Sequence, residues 1–182
     1  RNAPDYLCEE SAERSAEDTL LWLKEVGGRY KNIRPILTPR FIPSCSDRLM
    51  EMLSGIRREY DLPIQSHLSE NKGEIAWVKE LCPWSAFYGD AYEQFGMFGG
   101  TYPAVMAHCV HPTEEEIGLM KKNGVFAAHC PHSNTDLSSG VAPIRRYLEE
   151  GIHVGLGSDI AGGHVLSLFQ VMVGAVQASK LR

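Results

Sequence analysis

The sequence has no run of about 18 consecutive apolar residues, so nothing in it reads as a membrane-spanning helix. Its N-terminal stretch is polar and lacks the apolar core of an export signal, which makes a cytoplasmic protein the expectation. An excess of basic residues is missing too. Lys and Arg number 18 against 23 Asp and Glu, the net charge is −5, and duplex nucleic acid and anionic membranes are poor partners for such a chain. A small molecule is the better expectation. The five cysteines (Cys8, Cys45, Cys82, Cys109, Cys130) are odd in number and form no C-x-x-C pair. They suit buried thiols in a reducing compartment better than a disulfide framework. Low-complexity linkers and internal repeats are also lacking. What remains is 182 residues, 43% hydrophobic and 23% charged, the make-up of a single globular domain over 1–182.

The chain alternates short apolar runs with helical patterns. Strand-like runs are expected at Ile33 to Leu37, Pro63 to His67, Ala104 to Ala107, Val125 to Ala128 and from His153. Helices are expected over Ser15 to Val26 (with Ser15 as N-cap), Asp47 to Tyr60, Asn71 to Leu81, near Ala91 to Phe95, from Thr113 to Asn123, from Pro143 to Glu150 and from Leu166 to Ser179. Thr113 and Glu116 form a capping-box pattern, and Gly124 and Gly151 read as helix stops. This rhythm predicts an α/β fold with a parallel sheet. A closed barrel needs eight strands and typically about 250 residues, so five strand–helix units predict part of a barrel or of a larger assembly.

Three of the apolar runs end in residues able to bind a metal. His67 closes Leu62 to His67, His108 closes Ala104 to His108, and Asp159 closes His153 to Asp159. Each has a bland reading: a hydrogen-bonded core or loop histidine, or a turn aspartate. Their conjunction at three strand ends favours a divalent metal, zinc or iron. A catalytic metal with an open coordination position acidifies water for attack on an electrophilic carbon. Asp159 is then placed to take a proton from that water, and Glu70, three residues after His67, to pass it to a substrate ring nitrogen. His132 and Asn134, just past the fourth strand, read equally as wall-shaping loop residues or as substrate contacts. His111, His129, His153 and His164 show no partner pattern and read as structural or surface residues.

Together His67-x-x-Glu70, Ala107-His108-Cys109, Cys130-Pro131-His132-Ser133-Asn134 with Leu137 and Ser139-Gly140, Pro143-Ile144-Arg145-Arg146 and Gly155-Leu156-Gly157-Ser158-Asp159 resemble the nucleobase-deaminase branch of the amidohydrolase superfamily. Arg40-Phe41, lying 27 residues before the metal histidine, and Asp159-Ile160-Ala161-Gly162-Gly163 are most similar to its guanine-acting members. The resemblance implies a (β/α)8 TIM barrel, of which this chain supplies about strands four to eight, and a metal-dependent aminohydrolase. It implies His67, His108 and Asp159 as metal ligands, Asp159 also as general base, Glu70 as proton shuttle beside the purine, and Arg40 as a donor to the purine carbonyl, with Phe41 and His132 lining the pocket. A homodimer of the full-length protein is implied as well. The family's first barrel strand carries a His-x-His pair, and none occurs here, so the resemblance implies that a missing barrel half completes the site. Alternatives are a deaminase or chlorohydrolase of the same branch acting on another purine, a pyrimidine or a triazine, and a non-catalytic truncated form that binds a partner through open sheet edges.

Overall fold

The computed structural model describes residues 11–181. Cys8 lies outside them. Helix α1 (Ala12–Val26) starts at Ser11, whose hydroxyl accepts the Arg14 N–H, so the cap stands four residues before the expected Ser15. It packs Ala16 and Leu23 toward helix α2 (Asp47–Glu59), whose Met50, Leu53 and Ile56 face the core. A single 3-10 turn at Ile42–Ser44 precedes α2.

Four strands follow, each with helices behind it: β1 (Ile64–Leu68), α3 (Lys72–Leu81), α4 (Tyr88–Gln94), β2 (Ala104–His108), α5 (Glu114–Asn123), β3 (Phe126–His129), α6 (Pro131–Asp136), α7 (Ile144–Glu149), β4 (Val154–Leu156) and α8 (Leu168–Ala178). They form one parallel sheet in the order β1-β2-β3-β4. In register, Leu68 stands beside His108, Ala107 beside Ala128, and His129 beside Leu156. The strand C-termini therefore share one edge, where a parallel α/β sheet gathers its chemistry.

The expected strand Ile33 to Leu37 is reduced to a single bridge between Leu37 and Ile64. Pro35 and Pro39 have no N–H to donate and so cannot continue a ladder. Pro131–Asp136, expected as loop, is a short helix opened by Pro131 at its first turn. Cys45, Cys82, Cys109 and Cys130 are all free and buried.

Burial falls across the sheet. β1 and β2 alternate with buried core positions, whereas Gly155 and Leu156 of β4 are exposed. On α8, Phe169 is 81% exposed, and Leu168, Met172, Val173 and Val176 are also open. That apolar stretch has no cover among the described residues, although parallel sheets are normally covered on both faces. None of the described helices is long and apolar enough to cross a membrane.

Candidate active site

His67 is the fourth residue of β1, and its ring Nδ1–H donates to the Arg40 carbonyl at 2.5 Å. A carbonyl only accepts, so the tautomer is fixed and Nε2 keeps a free lone pair. His108, at the end of β2, is 2% exposed and donates from Nδ1 to Asn134 Oδ1 at 2.8 Å. Its ring stacks on that of His67, with centroids 5.1 Å apart and planes at 20°. Both imidazoles thus have one nitrogen held by an oxygen and the other available, the arrangement that orients histidine toward a metal.

Glu70 joins them. Its Oε1 accepts the Ser139 hydroxyl at 3.0 Å, and its Oε2 lies 3.7 Å from His108 Nε2. Asp159 stands three residues beyond β4, in a turn whose Gly162 and Gly163 N–H groups donate to its carbonyl at 3.0 and 2.6 Å. Burial pushes the Cys130 thiol up to about 12, and the negative charges of Asp159 and Glu70 add to the rise. Among the described residues no three His, Cys, Asp or Glu side chains close around one ion. The structure brings together His67, His108 and Glu70, while Asp159 stands further round the edge.

The backbone is strained where these residues sit. Ser69 (φ +46), His108 (+72), Cys109 (+48) and Asp159 (+45) all occupy the left-handed region without being glycine. Such conformations cost about 1–3 kcal/mol each and cluster at functional sites.

Arg40 is exposed, with its guanidinium 5.3 Å from the centre of the Phe41 ring, and Phe41 meets His67 edge-on at 6.3 Å. His132 is set apart. Its Nε2 faces the Gln170 carbonyl at 3.2 Å, its ring meets His164 at 4.7 Å, and it packs against Gly174 of α8, where an added Cβ would approach it to 2.7 Å.

Four residues carry more of the site than the sequence suggested. Asn134 holds His108, and Ser139 holds Glu70. Glu116, expected to close a capping box, instead accepts the Ser69 hydroxyl at 2.8 Å and the Gly89 N–H at 2.7 Å. His129, expected to be structural or surface, is buried beside His108; burial and that neighbour lower its pKa to about 4, and its Nδ1 has no partner. Only Ser139 and Asn134 had a sequence signal, through the motifs around them.

The model of the amidohydrolase family matches residues 9–182. The chain belongs to the amidohydrolase family. Guanine deaminase of Dictyostelium discoideum is 42% identical over 180 residues, covering 98% of this chain and 39% of that protein. A probable guanine deaminase of Schizosaccharomyces pombe is 39% identical over 181 residues, covering 98% of this chain and 34% of its own length. Among solved structures, guanine deaminase from C. acetobutylicum with bound guanine in its active site superposes with a TM-score of 0.96 at 50% identity, over 99% of this chain and 42% of that one. This amidohydrolase chain thus spans about two fifths of the length of the relatives it matches, and its four parallel strands are part of the family's α/β barrel.

Proposed function

We propose that this amidohydrolase chain carries one part of a site that hydrolyses guanine to xanthine and ammonia. The observation that carries the reading is Glu70, held by the Ser139 hydroxyl with its other oxygen 3.7 Å from His108 Nε2, beside the stacked His67–His108 pair. The similarity to deaminases over nearly the whole chain supports it.

The donor set suits a divalent ion, since two oriented imidazoles and a carboxylate match zinc or iron. His67, His108 and Asp159 would hold it, and when bound it supplies the Lewis acidity that brings a water within reach of deprotonation near neutral pH. The remaining steps belong to the protein. Asp159 accepts the proton released by the attacking water. Glu70 carries a proton at Oε2 to the purine ring nitrogen next to the reacting carbon, the proton held by Asp159 passes to the exocyclic nitrogen so that it leaves as ammonia, and the adduct's hydroxyl proton returns to Glu70 as the carbonyl forms. Ser139 keeps that carboxylate aimed. Arg40 donates from its fork to the purine carbonyl, and Phe41 lines the ring beside it.

Two ligands more are expected from the family's His-x-His pair, on the barrel half that this chain does not span. The uncovered apolar side chains of β4 and α8 support packing of that half against this edge.

The test is a substrate panel on zinc-loaded protein that includes both halves, followed by ultraviolet absorbance. Guanine is expected to be the preferred substrate over adenosine, 8-oxoguanine and a triazine. Arg40→Ala is expected to lower kcat/KM for guanine about tenfold or more, the scale of a lost charged hydrogen bond, and to leave an aminopurine without a carbonyl nearly unchanged. Preference for another ring would move the assignment to a different member of the same branch.

A further inference from the structure

The turn that carries Glu70 is gripped by two buried carboxylates that the proposed reaction does not use. Glu74 is 7% exposed; its Oε2 accepts the Glu70 backbone N–H at 3.1 Å and its Oε1 accepts the Tyr88 hydroxyl at 2.7 Å. Glu116, 1% exposed, takes the Ser69 hydroxyl on Oε2 and the Gly89 N–H on Oε1. The Ser69 carbonyl in turn accepts from the Val110 and His111 N–H groups at 3.1 and 3.0 Å, which ties the turn to the end of β2.

Both glutamates occupy the third position of their helices, behind the N-caps Asn71 and Thr113. An ordinary capping box would return each carboxylate to its own N-cap N–H. Glu74 reaches one residue further, to Glu70, and Glu116 leaves its helix end altogether. The fit around Glu116 is close, since a Cβ at Gly89 would come within 2.8 Å of Phe98 and 3.2 Å of Glu116 Oε1. Their hydrogen-bond partners are hydroxyls and amides. Burial raises the pKa of both; the charge of Glu70 adds to the rise of Glu74, and that of Glu74 to the rise of Glu116, which reaches about 7. Carboxylates placed this way cost stability that apolar residues of similar size would avoid. That cost is intelligible if their geometry serves the turn above them.

We infer that Glu74 and Glu116 are positioning residues for Glu70, fixing the turn of left-handed Ser69 and the Glu70 that follows it so that the Glu70 carboxylate stands beside His108. This rests on the reading of Glu70 as the proton-transferring group. The two carboxylates act at different points of the turn. Glu74 holds the Glu70 amide itself, and Glu116 holds the residue before it and ties that residue to the start of α4.

The test has two arms. In the 182-residue chain, Glu74→Ala is expected to speed amide hydrogen exchange of Glu70 at least tenfold while Met106 in β2 exchanges as before. Unchanged protection of Glu70 in the folded variant overturns the inference whatever the activity. In zinc-loaded protein that includes both barrel halves, Glu74→Gln and Glu116→Gln keep the side-chain volume and serve where alanine prevents folding. Each is expected to lower kcat for guanine about tenfold with KM changed less than twofold, and to add less than a further twofold in a Glu70→Gln background. A rise in KM with kcat kept, or a full loss persisting in that background, overturns it. Failure of the unaltered protein to turn over guanine contradicts the deaminase reading instead, and the exchange arm then decides the positioning by itself.

Discussion

His67 and His108 lie face to face at 5.1 Å, each with its Nδ1–H held by an oxygen, the Arg40 carbonyl for one and the Asn134 side-chain amide for the other. Backbone holds the first and a side chain the second, so only the second can be removed by substitution. Asn134→Ala leaves a buried histidine without its orienting partner. Zinc affinity of the site is expected to fall about 10–100-fold, the usual scale for losing an orienting partner. Titration calorimetry with zinc checks this, and an unchanged affinity would separate Asn134 from the metal.

Two buried groups of opposite pH sense should be separable in the metal-free chain. His129 is lowered from 6.5 to about 4 by burial and by His108, so the folded state resists its protonation. Its contribution is full above pH 6.5 and is lost as pH falls toward 4. Glu116 is raised from 4.5 to about 7 by burial, so the folded state resists its ionisation, and its contribution is full below pH 4.5 and lost as pH rises toward 7. Each integrates to about 3 kcal/mol, with opposite sign over nearly the same window. Relative to the unaltered chain, Glu116→Gln is expected to gain stability as pH rises from 4.5 to 7. Urea unfolding across that range tests it, and a pH-independent difference would contradict the burial of an ionisable Glu116.

Arg57 is a buried cation on α2, outside the histidine pair. It is 1% exposed, and its guanidinium donates to the carbonyls of Leu62, Gly96, Gly99 and Tyr102. One side chain thus closes the loop between α4 and β2. Arg57→Met strands several buried carbonyls and is expected to cost about 3 kcal/mol or more. Arg57→Lys should recover part of that loss. The urea midpoint measures both, and a shift under about 1 kcal/mol in the methionine variant would contradict this account.

The strand–helix rhythm was legible because buried parallel strands are short apolar runs and their helices carry caps. Ser46, Asn71, Thr113 and Gly124 behave as their residue types suggest. His67, His108, Glu70 and Asp159 were legible as residues that follow such runs. What was hidden depends on contacts across the chain. Glu116 satisfied a local pattern, and only the approach of Ser69 and Gly89 drew its carboxylate inward. His129 carried no motif because its burial comes from neighbouring strands. Ile33 to Leu37 misled because its apolar content suits a strand, while Pro35 inside it and Pro39 just after it have no N–H to pair.

The most direct test of the central claim is guanine turnover by this chain joined with a barrel half that bears the His-x-His pair, in zinc, beside an Asp159→Asn control. The account expects xanthine formation that falls at least 100-fold in the control while zinc-loaded protein stays folded. A folded, zinc-loaded assembly that leaves guanine intact, or an Asp159→Asn variant that turns it over at the same rate, would contradict it.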